Sequence, residues 1–392
     1  MNFSISNIER PYFGLNLIEE HWDEMIVPPG RYDKNPLIIY FDGNTIVKEI
    51  VSTDDFYYEN DTSIETEERT LLLPRTSKGK KSKLTQANLT NKYSGQGVYF
   101  RAGKHLIQIA NYTTQTNYYS SWYEQIGVND VKEFEQWKQK FIKESDANHL
   151  NRMQEFKQAE RVHVKYKKGD IFAYKISRTE YGYGKILENI KILNKKGNIP
   201  QKSYLRQFMS GAVLLVCLYA YKSKEEVVDL SLLENCLRLP SQFISDNEIY
   251  FGEYSIIGNQ DVHDHEMDYP ISLFYSGPDY IRIDWGAIRI ESNDESVNKA
   301  VYEMLDKLYN EYEESFYSGA LSSYLKINYN ALERVINEKD ITVYYSNLPI
   351  DVQLDLRNPK FKNLKKKVFK LLGLDDRLGY VENLYRFIEK QS

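Results

Sequence analysis

Two histidines one residue apart inside an acidic stretch are the first place in this sequence where chemistry could sit. In Asp261-Val-His-Asp-His-Glu-Met-Asp268, an extended backbone puts His263 and His265 on one side with Asp261 and other carboxylates beside them. Zinc and manganese accept such ligands. A dedicated metal site needs three or four convergent ligands, so the same eight residues also read as a solvated acidic loop. His21, His105, His149 and His163 lie in no pattern that pairs them with a nucleophile. There is no Gly-x-Ser-x-Gly elbow, P-loop, dinucleotide fingerprint or Cys-x-x-Cys, and nothing calls for a cofactor. Catalytic partners are usually distant in sequence, so an enzyme stays open, but no motif announces one.

A concentration of acid among aromatics is more informative. From Ser245 to Ser296, twelve Asp and Glu face only Arg282 and Arg289, in a segment laced with Tyr, Phe and Trp285. Carboxylates steer an encounter with a basic protein and aromatics supply buried anchors, which makes Glu253, Asp279, Asp284 and Trp285 candidate contact residues. The competing reading is a set of strands with aromatics inward and acids outward. The whole chain has 392 residues, 33 of them Tyr, and a net charge of −5, which disfavours nucleic acid and anionic membranes as partners. The basic run Thr76 to Lys83 has no aromatic interleaving and reads as an exposed loop.

The elements that must hold these residues follow from patterning. Pro36 to Phe41 and Thr45 to Val51, joined by Asp42-Gly43-Asn44, read as a hairpin. A helix is expected over Val131 to Lys143, capped by Asp130 with Glu133 completing a capping box. Beyond it, 146–162 is polar and helix-favouring and reads as a helical linker between domains. Strands are expected at Ile171 to Ile176, Tyr181 to Leu187, Ala212 to Tyr221, Ile249 to Ile257, Ile271 to Tyr275 and Tyr280 to Ile290. After Glu291 the character turns helical, with Ser292 and Glu295 as a capping box and a lysine-rich amphipathic helix around Phe361 to Leu371. The expected fold is α+β, with mostly antiparallel N-terminal and central β domains and a C-terminal helical layer. The central domain is a twisted sheet or small barrel. The expected domains are 1–145, 163–291 and 292–392, with the linker between the first two.

The central region carries a signature. Lys168-Gly-Asp-Ile-Phe-Ala173 followed by Tyr181-Gly-Tyr-Gly-Lys-Ile-Leu187 resembles the opening of the immunity protein 26 family of bacterial polymorphic toxin systems, over about 163–291. The resemblance implies a mostly β domain that neutralises a cognate toxin by binding it. Some relatives carry a phosphotriesterase label, which supplies a hydrolase as the alternative, with His263, His265 and Asp261 as its metal ligands. Within the signature, Gly169, Asp170, Phe172, Tyr181, Gly182 and Gly184 read as structural, because a glycine on a strand makes room for a facing ring and Asp170 can fix a turn. Tyr183, on the opposite side of the strand from the glycines, is kept as a contact candidate. The partner expected is a toxin with a basic surface. With two cysteines, Cys217 and Cys236, no apolar run long enough to cross a bilayer and no signal-peptide pattern in the first ten residues, a cytoplasmic location is expected.

Overall fold

The computed structural model describes residues 2–30, 34–73, 79–92, 96–123, 126–210, 212–275, 280–312, 327–346 and 355–389. The chain divides into two compact units, Met1–His163 and Val164–Ser392. Both are α+β, and their three sheets are antiparallel.

In the first unit the strands are β1 (Asp23–Val27), β2 (Leu37–Asp42), β3 (Thr45–Ser52), β4 (Phe56–Glu67), β5 (Leu71–Leu72), β6 (Ser82–Lys83), β7 (Val98–Gly103), β8 (Leu106–Asn111) and β9 (Thr116–Ser120). The main path runs β1-β2-β3-β4-β7-β8-β9, with β5 and β6 branching from β4. Gly43, at φ +58°, makes the tight turn between β2 and β3. The helix Val131–Lys143 starts on Asp130, whose carboxylate accepts the Glu133 N–H at 2.8 Å, and it buries Phe134 and Phe141 against Phe13 and Phe100. Its Glu133 reaches back to the Asn129 N–H at 2.8 Å rather than to the cap itself. The helix His149–Gln158, inside the stretch read as a linker, belongs to this unit. Met153 is buried in the same core, and the His149 ring meets the Tyr12 carbonyl at 2.9 Å.

The second unit holds an open five-stranded sheet and a three-stranded meander. The five strands are β10 (Asp170–Lys175), β11 (Tyr181–Asn189), β12 (Val213–Ser223), β13 (Gln242–Ser245) and β14 (Ser255–Asn259), in the order β13-β12-β11-β10-β14. The meander is β15 (Ile271–Tyr275), β16 (Ile281–Trp285) and β17 (Ile288–Ser292). Of the two architectures expected for the central region, the open sheet is the one found. One strand is shorter than expected: Asn247–Tyr250 is a helical turn, and Gly252 at φ +80° separates it from β14. Upstream of β12, Tyr204–Ser210 is a 3-10 helix.

Alternate residues of β12 face two different cores. Leu214, Val216, Leu218 and Ala220 pack under the helix Tyr329–Glu338 and the turn Thr342–Ser346. Val213, Leu215 and Cys217 pack toward the meander and the helices Lys362–Leu371 and Tyr380–Glu389. The meander and the C-terminal helices therefore share one core, in which Tyr380 closes over Gly286 and accepts the Ala287 N–H at 2.8 Å. The helix Glu295–Tyr312 is capped by Asp294, whose carboxylate accepts the Ser296 and Val297 N–H groups, rather than by Ser292. No helix among the described residues is long and apolar enough to cross a membrane.

Candidate functional site

The signature hairpin, β10 with β11, is built around glycines that rings cover. In the register, Phe172 lies opposite Gly184 and Tyr174 opposite Gly182. A Cβ on Gly184 would sit 2.4 Å from Phe172 Cζ, and one on Gly182 would sit 2.7 Å from Tyr174 Cζ, so each ring occupies the space its cross-strand neighbour leaves. Phe172 then stacks on Tyr254 with centroids 5.8 Å apart. Gly169 has φ +86°, and a Cβ there would meet the Gln260 carbonyl at 2.4 Å. Asp170 is buried: one carboxylate oxygen accepts the Lys167 N–H at 2.7 Å and the other the Asn259 amide at 2.8 Å, which ties the turn to the end of β14. Tyr181 is half-buried. Tyr183 is fully buried on the opposite face, with Ile171, Ala173, Tyr219 and Leu233, and its hydroxyl donates to the Glu225 carbonyl.

That opposite face is divided by a charge cluster. Lys185, on the same side of β11 as Tyr183, is buried and donates to Glu266 at 3.0 Å and to the Asp261 carbonyl at 2.7 Å. Lys185 reaches both Glu266 oxygens, Arg238 donates to one of them, and the other also accepts the His263 N–H at 2.9 Å. Burial opposes ionisation of Glu266, but the His263 N–H together with Lys185 and Arg238 outweighs it and holds the carboxyl below its ordinary value. Cys217, paired with Lys185 across the ladder, has its thiol pushed up to about 12 by burial, so it packs as a small apolar group. The cluster fastens the segment 259–267 across the sheet.

The proposed metal ligands sit on that fastened segment. Asp261, His263 and His265 are exposed, and the imidazoles of His263 and His265 stack with centroids 5.6 Å apart. Among the described residues no group of three or more His, Cys, Asp or Glu side chains is gathered where it could hold a metal ion. Glu266, next to His265 in sequence, is committed to Lys185 and Arg238.

The contact candidates are not brought together either. Asp284 is buried and held by Arg282 at 2.8 Å and Arg289 at 2.6 Å. Trp285 is buried in the meander core beside Phe369 and Tyr380. Glu253 is half-buried, and Asp279 lies outside the described residues. What the surface offers instead is the connection from β12 to β13. Val227 is 67% exposed, Leu232 51% and Leu237 40%, beside exposed Glu225, Glu226, Asp229 and Glu234. This segment lies against β14. Leu230 packs over Gly258, Glu226 accepts from Ser255, and Glu234 accepts from the Gln260 amide at 2.9 Å. Asp261 and Asp264 continue the acidic surface along the adjoining loop. The signal for it was present in Lys224-Glu-Glu-Val-Val-Asp-Leu-Ser-Leu-Leu-Glu234, which carries more apolar residues than one short helix face can bury. Lys185 was legible too, as a cation at an inward position of an apolar strand.

The sheet, its glycine-bound hairpin and the fastened loop fall inside one recognisable region. Residues 167–278 match the family model for immunity protein 26. The match covers β10 to β14, the charge cluster and the acid-rimmed segment, and it ends within the meander. Searches of curated proteins and of solved structures find no match. An immunity protein 26 domain implies a toxin-neutralising function and a cognate toxin as partner.

Two measurements probe this construction. Gly184→Val drives a branched side chain into Phe172 and is expected to cost about 1–3 kcal/mol in a denaturant melt; an unchanged melt would show that the ring does not need the glycine. The lowered Glu266 carboxyl contributes stability above its ordinary unfolded value and loses it as pH falls through the depressed folded value. Melting temperature should therefore drop between about pH 5 and pH 2 more steeply in the native protein than in Glu266→Gln, which starts lower at neutral pH. Parallel profiles would contradict the assignment.

Proposed function

We propose that this chain neutralises its toxin by direct binding, through the segment 224–237 and the neighbouring loop 259–265 of the immunity protein 26 domain. The observation that carries the reading is the pairing of exposed Val227, Leu232 and Leu237 with the carboxylates of Glu225, Glu226, Asp229 and Glu234, in a segment whose Val228, Leu230 and Leu233 are seated on the sheet. With Lys224 as the one exposed cation at its start, the segment is predominantly acidic; its exposed apolar groups serve as anchors while the excess negative charge steers a basic partner. The toxin face that fits is basic with an apolar recess. Inhibition of this kind asks only for a stable complementary surface, so it draws on none of the catalytic motifs missing from the sequence. The hydrolase alternative needs convergent metal ligands, and among the described residues His263, His265 and Asp261 are not gathered into a group that could hold a metal ion.

Co-expression with a toxin encoded beside this chain tests the proposal. Growth should be rescued and a complex recovered, and Leu232→Arg or Glu225→Lys should weaken the complex at least about tenfold, roughly 1.4 kcal/mol, without lowering the melting temperature. Full binding by these variants, or rescue without a complex, would reject the assigned surface or the mechanism respectively.

A further inference from the structure

The first unit carries a polar cleft that the immunity domain does not account for. The loop between β8 and β9 forms its lip, and Gln96, Tyr99, Gln108, Tyr112, Asn117 and Arg161 contribute to its walls. The ladder explains the hollow. Tyr99 pairs with Ala110 and Ala110 with Asn117, so a methyl group sits between two longer side chains on one row. In the next row Arg101 stands opposite Gln108. Phe100 and Ile109, alternating with these, point into the core on the other face.

The lip and one wall are set by their own bonds. Asn111 is buried, accepts the Thr113 N–H at 2.8 Å and donates to the Phe156 carbonyl at 3.0 Å. Its carbonyl accepts the Gln115 N–H at 2.8 Å, which holds Gln115 at φ +62°, an unusual conformation for a residue with a side chain. Arg161 donates to the Thr113 carbonyl at 2.7 Å. Tyr99 and Tyr112 stack with centroids 4.1 Å apart, and the Tyr112 hydroxyl lies 3.2 Å from that of Tyr58. The result is a flat aromatic wall facing a floor of amides.

At the floor, Gln108 donates its amide to Asn117, while its side-chain carbonyl is buried with no donor among the described residues. Arg101, directly opposite, has a buried Nε with no acceptor among them. Buried polar groups left unmade are costly and uncommon, and here one belongs to Gln108, which lines the cleft, and the other to its ladder partner Arg101 just beyond the lining. Among the described residues no carboxylate or lysine lines the cleft, and Arg161 is the one lining cation.

We propose that this cleft binds a mononucleotide. The edge of a base offers adjacent donors and acceptors that side-chain amides recognise in pairs, which suits Gln108 and Asn117. Its flat face suits the stacked tyrosines, and its phosphate suits the Arg161 guanidinium, beside which no described lining residue is a carboxylate. The test is calorimetry on the full chain with AMP, UMP, ribose 5-phosphate and inorganic phosphate. Saturable binding of at least one nucleotide is expected, with the sugar phosphate and phosphate at least tenfold weaker. Gln108→Leu should reduce nucleotide affinity at least about tenfold and leave the melt of the free protein unchanged. Should that variant fail to fold, Gln108→Met keeps the length of the side chain, removes its unmade carbonyl and should weaken the same ligand. No binding of any probe at about millimolar concentration, or equal binding of inorganic phosphate, would overturn the proposal and assign the unmade groups to hydration. Toxin capture by the second unit is read separately and need not change.

Discussion

Two rings laid across two glycines govern the central sheet. Phe172 and Tyr174 can occupy the space beside β11 only because Gly184 and Gly182 have no side chain, and both rings then belong to the core under the helix Tyr329–Glu338. That choice fixes which face of β10 and β11 is the deep core. It commits Tyr183 and Lys185 to the other face, where the structure must cover a tyrosine and neutralise a buried ammonium. The segment 224–237 covers the tyrosine, through Leu233 and the Glu225 carbonyl. The loop 259–267 supplies Glu266 for the lysine, and Arg238 joins it from the strand side.

The proposed function builds on that division of labour. Both covering segments are irregular backbone pinned at defined points, the arrangement in which loops present side chains from a rigid base. A buried ion pair of this kind is weak as a source of net stability, because the desolvation of both partners offsets most of their attraction. Its value lies in register: a loop attached through a charge pair and a capping N–H has one way to sit. The exposed leucines, valine and carboxylates outside these anchor points are what remains for a partner to meet.

The sequence revealed the hairpins, the helix Val131–Lys143 and the α+β class, because alternation, Asp-Gly turns and caps are local signals. It also revealed why the signature glycines sit where they do, since a glycine on an apolar strand implies a facing ring. It misjudged the strand around Ile249, where Gly252 at positive φ breaks an apolar run into a turn and a short strand. Acid counting pointed at Asp284 and Trp285, which are buried by two arginines and by helices some eighty to a hundred residues downstream. Long-range partners of that sort leave no mark on local spacing. The acid-rimmed segment 224–237 was overlooked for the opposite reason, since its charges lie just outside the window in which acids dominate.

The central claim is that toxin is held on the segment 224–237 and the loop 259–265 and not on the glycine-bound core. Amide hydrogen exchange of the full chain, with and without its toxin, tests this most directly. The account predicts new protection in those two segments, with β10 to β12 unchanged because they are already slow. Protection confined to the first unit, or to the helix Lys362–Leu371, would contradict it.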